Sequence, residues 1–354
     1  MNATLTPTSV IELVDAVRAT PRVLAVGART KPRLSHVSPD VTLLSMRQLC
    51  GIIEYEPDEY TFTALAGTSL HALAAALAEK GQYLPFDPLL VAAGATLGGT
   101  VAAGLNGPGR FRFGGVRDFI LGVRFVDGSG RLLRLGGKVV KNAAGFDLPK
   151  FFTGSLGRFG VLAELTFKVF PRAASTLTLR LPVAGSEAAV KLLTVAANTR
   201  WEPDALDLLP SGDAVVLRLA GPANALPTLA REILARFPGE ILAADAAAAI
   251  WADLCEFRWT FPDGSLLKLA LTPGELPALT AIVRALAGRL HISVGANVAY
   301  VSLPAGANPA ALSLPALTLR GPGPLWHNPP PAPAISAAVK SALDPLNRFP
   351  ALAD

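Results

Sequence analysis

The chain has 354 residues, with 32 Lys+Arg against 27 Asp+Glu and a formal net charge of +5. Hydrophobic residues make up 51% and charged residues 17%, which excludes a disordered chain and, at this length, favours two domains over one core. Two cysteines far apart in sequence, Cys50 and Cys255, exclude a disulfide framework, a four-cysteine zinc site and a ferredoxin-type cluster. The composition fits a reducing compartment, and any iron–sulfur chemistry needs another subunit.

Residues 1–17 have neither a basic n-region nor a long apolar h-region, so no signal peptide is expected. Ser9 to Glu12 reads as a capping box opening a helix with Val10, Leu13, Val14 and Val17 on one face. Residues 22–26 form a short β-run, followed by the turn Gly27-Ala28-Arg29-Thr30-Lys31-Pro32. A second strand covers 41–44. Residues 51–55 and 60–65 pair as a hairpin across Glu56-Pro57-Asp58-Glu59. Residues 69–80 form a helix that buries Leu70, Leu73 and Leu77, with Gly81 just past its end. Pro85 and Pro88 hold 82–88 extended. Residues 95–103 read as a short, tightly packed helix.

Between Arg110 and Lys150 nine basic residues (Arg110, Arg112, Arg117, Arg124, Arg131, Arg134, Lys138, Lys141, Lys150) face three acids (Asp118, Asp127, Asp147). Such a segment serves nucleic acid, a phosphate-bearing cofactor, an acidic partner or solubility. Its glycines and short apolar runs disfavour nucleic acid. Phe111, Phe113, Phe119 and Phe125 fall at strand spacing and read as core rather than base-stacking platforms. Residues 120–126 and 132–135 flank the turn Asp127-Gly128-Ser129-Gly130 as a second hairpin. The strand 161–170 follows the Gly-rich turn 154–160, and the first domain spans 1–172.

Residues 173–333 have a different texture. The strand 176–181, helix 186–197, strands 205–209 and 214–219 and helix 223–236 come first. A comparable order recurs as strand 265–271, helix 274–287 and strands 291–294 and 298–303. This predicts an α+β layer of ferredoxin-like type. The uncharged run 290–319 is interrupted by Gly295, Pro304, Gly306, Pro309 and Pro315, and so reads as strands and loops rather than a membrane span. A Pro-rich loop, 321–333, leads to a last helix, 334–343, and a tail to 354.

Four Gly-rich turns fall in the first domain: Gly27, 94–99, 104–115 and 154–160. Glycine lets backbone approach a phosphate or a flat ring and frees N–H donors for anionic oxygen. None reads G-x-G-x-x-G, and Gly136-Gly137-Lys138-Val139 lacks the spacing and hydroxyl of a P-loop.

Phe86-Asp87-Pro88, then Gly94-Ala95-Thr96-Leu97-Gly98-Gly99-Thr100-Val101-Ala102, then Arg112-Phe113-Gly114-Gly115-Val116-Arg117-Asp118 resemble the FAD-binding domain of the p-cresol methylhydroxylase (vanillyl-alcohol oxidase) type. GGKVVKNAAGFDLPK from Gly136 and GSLGRFGVLAELTFKVFP from Gly154 are similar to the FAD-binding subunits of bacterial glycolate oxidases. The resemblance spans residues 8–172, and LDPLNRFP near the end resembles the family's closing motif. It implies an α+β fold: a two-subdomain FAD-binding domain, a smaller ferredoxin-like cap or docking domain over 173–333, and a C-terminal helix and tail, 334–354, returning to the first domain.

The resemblance also implies non-covalent FAD. The turn Gly27, Ala28, Arg29, Thr30 and Lys31 would cradle the pyrophosphate. Pro85, Asp87, Gly94, Ala95, Thr96, Gly98 and Gly99 would line the cofactor, and Gly157, Gly160 and Val161 would meet the adenine side. Asn106, Gly107, Arg117 and Asp118 complete the implied set. The first turn departs from the family's Gly-Gly-Gly, and no His or Cys sits in it for a covalent link. The implied partners are a related FAD-containing catalytic subunit, an iron–sulfur subunit and a small hydroxy-acid substrate, with no nucleic acid. The implied location is the cytoplasm, at the inner membrane only through partner subunits.

Hydroxy-acid dehydrogenases of this family carry a G-E-H-G motif that is absent here. Of the four histidines, His36, His71, His291 and His327, only His327, in a loop beside Trp326, is a catalytic candidate. His291 reads as a core or rim histidine. Asp87 and Asp118 read as loop-fixing acceptors. No metal-ligand spacing such as H-x-x-x-H occurs. Three readings stay open: a flavoprotein subunit of a glycolate oxidase complex, a self-sufficient FAD oxidoreductase of another small hydroxy acid or alcohol, and a flavin-free assembly subunit.

Overall fold

The computed structural model describes residues 2–137, 147–328 and 334–351. It divides into two compact units, one of Met1–Leu105, Gly115–Pro171 and Pro331–Asp354, the other of Asn106–Gly114 and Arg172–Pro330. Mixed helix and sheet make up both, as the sequence implies.

In the first unit β1 (Thr4–Leu5), α1 (Val10–Ala19), β2 (Val23–Val26) and β3 (Thr42–Ser45) come first. Ser9 caps α1 by accepting from the Glu12 N–H at 3.1 Å, while Glu12 accepts from the Thr8 N–H at 2.8 Å. That satisfies orphan donors at the helix start. The apolar face buries Leu13 and Val17. The three strands form a parallel sheet in the order β1-β3-β2.

β4 (Ile52–Glu56) and β5 (Thr61–Leu65) pair antiparallel, as the turn chemistry predicts. α2 (Leu70–Ala78) is capped by Ser69 and buries Leu70, Leu73 and Leu77. Gly81 beyond it is left-handed, φ +64°. After β6 (Gln82–Tyr83), α3 (Leu97–Ala103) begins at Thr96, whose hydroxyl accepts from the Gly99 N–H at 3.2 Å.

The basic segment corrects one expectation. Phe111 and Phe113 lie on the short helix α4 (Arg110–Phe113), and Phe119 ends α5 (Val116–Phe119). Of the four phenylalanines only Phe125 is in a strand, β7 (Ile120–Val126). Gly109, Gly114 and Gly115 punctuate this stretch, so turn chemistry overrides the alternation. Phe119 is still core, packing on Phe86 and Phe170.

β7 pairs with β8 (Leu132–Gly136), and buried Asp127 closes their turn by accepting from the Ser129 and Arg131 N–H groups, each at 2.9 Å. α6 (Leu148–Phe151), β9 (Val161–Lys168) and β10 (Phe170–Pro171) follow. The five-stranded sheet runs β4-β5-β9-β7-β8.

The second unit contains β11 (Ser175–Pro182), α7 (Ser186–Ala197), β12 (Ala205–Leu208), β13 (Ala214–Gly221), α8 (Leu226–Arg236), β14 (Glu240–Ile241) and α9 (Ala244–Cys255). Then come β15 (Ser265–Ala270), α10 (Leu276–Ala285), β16 (Arg289–Ser293), β17 (Val298–Leu303), β18 (Ala316–Arg320) and β19 (Trp326–His327). They form one sheet, β14-β11-β13-β12-β16-β17-β15-β18-β19. β11 to β14 take the order fourth-first-third-second, and β15 to β18 repeat it in mirror order. The recurrence seen in sequence is therefore two ferredoxin-like halves sharing one sheet, joined by the Leu208–Ile292 pair. One face packs on α7, α8 and α10 through Leu193, Ile233, Leu279, Ala299 and Val301. α9, which the sequence reading missed, supplies Trp251 and Leu254 to a separate cluster with Ala205 and Val216.

The chain ends in α11 (Ala334–Leu343), which belongs to the first unit. Asp344, 1% exposed, accepts from the N–H groups of Arg348 at 2.8 Å and Phe349 at 2.9 Å and from Lys340 Nζ at 2.6 Å. The Arg348 carbonyl accepts from the Val23 N–H at 2.7 Å, tying the tail to β2. No described helix is long and apolar enough to cross a membrane.

Candidate functional site

Three of the four Gly-rich turns meet at one cleft of the first unit. The chain leaves buried β2 at Gly27, and a Cβ there would lie 2.2 Å from Thr96 Oγ1. The first turn thus rests directly on the cap of α3. The Gly98 N–H donates to the Ala66 carbonyl at 2.8 Å, and a Cβ on Gly98 would meet that oxygen at 2.9 Å. At the other end of α3, the Val101 carbonyl accepts from Gly154 N–H at 2.9 Å and the Ala102 carbonyl from Leu156 N–H at 2.8 Å. Glycine is required at Gly104, where a Cβ would lie 2.9 Å from Gly154 Cα.

The cleft is open to solvent, with about 480 Å³ of free space, and is lined by residues 25–31, Thr96, Gly99, Ala102 and Leu156 among others. An adjoining recess of about 390 Å³ adds Met46, Gly98, Ser155, Gly157 and Gly160. Of the sequence-implied set, Gly27, Ala28, Arg29, Thr30, Lys31, Thr96, Gly98, Gly99, Gly157 and Gly160 therefore converge.

The others do not line it. Pro85, Asp87, Gly94 and Ala95 lie in the preceding loop, where the Ala95 carbonyl accepts from Leu70 N–H. Arg117 and Asp118 lie on α5, and Asp118 accepts from Gly115 N–H at 2.8 Å, the loop-fixing role expected of it. Val161 is buried in the core with Leu13. Asn106 and Gly107 fall in the second unit, where the Asn106 carbonyl accepts from Tyr300 Oη at 3.1 Å. Most of the motif from Gly136, including Lys138 and Lys141, lies outside the described residues.

The charge in the cleft is one-sided. Arg29 and Lys31 line it, and no described acidic residue does. Arg29 is exposed, in a left-handed conformation with φ +54°. Lys31 is 9% exposed and donates from Nζ to Thr30 Oγ1 at 3.1 Å. Burial lowers its pKa to about 8. Ser155 Oγ, also buried in this lining, has no hydrogen-bond partner among the described residues. A buried cation without a carboxylate, a free hydroxyl and glycines at close approach suit a diphosphate. FAD therefore fits these residues. Among the described residues no His or Cys lines the cleft.

The second unit holds a polar cluster that sequence reading missed. Asp207, fully buried on β12, accepts from His291 Nε2 at 2.9 Å, Ser293 Oγ at 2.9 Å and Val294 N–H at 3.1 Å. His291 stacks on Tyr300 at 5.8 Å, and Tyr300 pairs in register with Lys268. Burial raises the Tyr300 hydroxyl pKa, and desolvation followed by the Arg110 charge lowers Lys268 to about 8. The available signal was an acid inside an otherwise apolar strand, Ala205-Leu206-Asp207-Leu208.

His291 is thus a core histidine, as its position suggested. His327 is buried in β19 rather than in a loop; desolvation lowers its pKa, and its Nε2 has no partner. His36 and His71 are exposed. No group of three His, Cys, Asp or Glu able to hold a metal occurs among the described residues.

Residues 1–136 match the family model described as FAD binding domain. Over 239 residues the chain is 38% identical to "Glycolate oxidase subunit GlcE" of Escherichia coli (strain K12), covering 67% of this chain and 65% of that protein. Over 192 residues it is 27% identical to "Glycolate oxidase subunit GlcD" of Bacillus subtilis (strain 168), covering 54% of this chain and 40% of that protein. The chain thus spans less than two thirds of the length of either relative. Among solved structures, an alkyldihydroxyacetonephosphate synthase superposes with a TM-score of 0.70 at 16% identity, covering 97% of this chain and 74% of that one. That likeness concerns the fold alone.

Proposed function

We propose that this chain, whose residues 1–136 are an FAD-binding domain, is the FAD-binding subunit of a glycolate oxidase-type complex. The complex oxidises glycolate or a closely related small hydroxy acid and passes electrons to an iron–sulfur subunit. The observation that carries the reading is the cleft where three Gly-rich turns meet around Lys31; the similarity to the E. coli subunit supplies the class of complex. When bound, FAD supplies a two-electron acceptor for hydroxy-acid oxidation. Lys31 and Ser155 would hold it, with Gly27, Gly98 and Gly99 giving it room. The lone orphan imidazole of His327 lacks a carboxylate to orient it, which favours a complete partner subunit as the place of substrate turnover.

One observation favours the second reading, a self-sufficient oxidoreductase. Asp207 and His291 form a buried acid–base pair in the second unit, with the Tyr300 ring stacked on the imidazole. Anaerobic mixing of the FAD-loaded chain with millimolar glycolate separates the two. Persistent flavin absorbance, with turnover restored by the co-purified partner subunits, is the expected result. Bleaching by glycolate alone would refute the first reading and establish the second. Co-purification from the native host with no iron–sulfur protein attached would refute the electron path.

A further inference from the structure

The turn that follows β2 reads Gly27-Ala28-Arg29-Thr30-Lys31 and brings two cations to the cleft lining. Lys31 lines the cleft, and its Nζ has one neutral partner, the Thr30 hydroxyl at 3.1 Å, and no salt bridge among the described residues. It is 9% exposed. A buried ammonium with a single hydroxyl partner is costly in the empty protein, and an anion in the cleft relieves that cost. Arg29, the other cation of the lining, is exposed, so its charge is solvated and needs no counter-anion.

We propose that the Lys31 ammonium is the counter-cation of the FAD diphosphate, and that through this ion pair the chain selects the dinucleotide over flavin lacking a diphosphate. The inference rests on the FAD-binding reading of the cleft and goes beyond it. It assigns the charge to one side chain, and it makes cofactor loading proton-linked.

The linkage has a definite sign. Burial sets the amine at about 8 in the empty protein, and a diphosphate beside it raises that value. Binding therefore requires the protonated amine: affinity is full below about pH 8 and falls as the pH rises past it. FAD uptake above that point takes up a proton. The other charged groups around the turn are Arg29, Arg33 on the following 3-10 turn, and Arg158, which donates to the Leu156 carbonyl at the cleft wall. Guanidinium groups stay protonated over this range, and no acid among the described residues lines the cleft. His36, at the end of the 3-10 turn, is exposed and does not line the cleft.

The test uses the full-length chain, freed of flavin, titrated with FAD, ADP and riboflavin. For Lys31→Met the dissociation constants for FAD and ADP should rise by about tenfold or more, while riboflavin binding stays unchanged. In the wild type, FAD should bind about tenfold more weakly near pH 9 than near pH 7, and in Lys31→Met this dependence should vanish. Wild-type FAD affinity that is flat across this range overturns the proposal, whether or not the variant folds. So does a variant that binds FAD and ADP as the wild type does, or one that weakens riboflavin equally. Failure of the wild type to bind FAD at all would instead overturn the cofactor reading on which the ion pair rests.

Discussion

Gly27→Ala should damage the first unit and its cleft together, and a second substitution should separate the two effects. Gly27 has no positive φ, so the backbone accepts alanine. The cost is steric. The new Cβ would lie 2.2 Å from Thr96 Oγ1 and 3.3 Å from Thr96 Cβ and Cγ2. The hydroxyl must swing away, and the Gly99 N–H then loses the acceptor that caps α3. Loss of such a cap costs about 1 kcal/mol, and overpacking at a closed site adds about 1–3 kcal/mol. The expected total is about 2–4 kcal/mol. Thr96→Ala alone should cost about 1 kcal/mol.

In the double variant the hydroxyl is gone and the methyl fits. Its cost should fall short of the sum of the singles by about 1–2 kcal/mol. FAD affinity should stay reduced, because the methyl still sits on the cleft floor. Urea unfolding followed by far-ultraviolet circular dichroism measures the stabilities. The four tryptophans, Trp201, Trp251, Trp259 and Trp326, all lie in the second unit and do not report the perturbed one directly. Additive single and double variants, or a Gly27→Ala variant within about 0.5 kcal/mol of wild type, would refute this packing of turn on cap.

Neighbouring glycines should divide by role: a Cβ on Gly99 meets only Thr96 Oγ1, at 2.9 Å, whereas one on Gly98 meets the backbone of Ala66. Gly99→Val should thus lose flavin from a folded chain, while Gly98→Val loses about 1–3 kcal/mol of stability as well, both read by flavin content and thermal melting. Acid precipitation of the loaded protein should leave all flavin in the supernatant, since among the described residues no His or Cys lines the cleft; colour in the pellet would show a covalent bond. Asp207→Ala strands the donors of His291, Ser293 and Val294 and should cost about 3–5 kcal/mol, visible in tryptophan fluorescence because Trp259 packs edge-on to His291. Asp344→Ala releases Lys340 and two tail N–H groups and should lower the stability of the first unit by about 2–4 kcal/mol, measured by circular dichroism.

What the sequence determined by itself was local chemistry. Ser9 caps the helix it was read to open, and Asp127-Gly128-Ser129-Gly130 turns the hairpin it was read to turn. Each depends on donors and acceptors within about four residues, so the pattern alone is sufficient. Glycine-rich turns and the family resemblance likewise pointed to FAD, and residues 1–136 match the family model described as FAD binding domain. α9 was not legible: half of residues 244–255 are alanine, which offers little contrast between faces. The alternating phenylalanines misled because three glycines among them reset the backbone. Only the tertiary structure chose among the implied site residues, bringing Gly27 to Thr96 and Leu156 to Ala102 while leaving Asp87, Arg117 and Asp118 outside the cleft. It alone buried Lys31 rather than Arg29 and joined Asp207 to His291 across 84 residues. Burial, and with it the pKa of a side chain, is a property of what folds over a residue from elsewhere in the chain, and neighbours in sequence do not encode it.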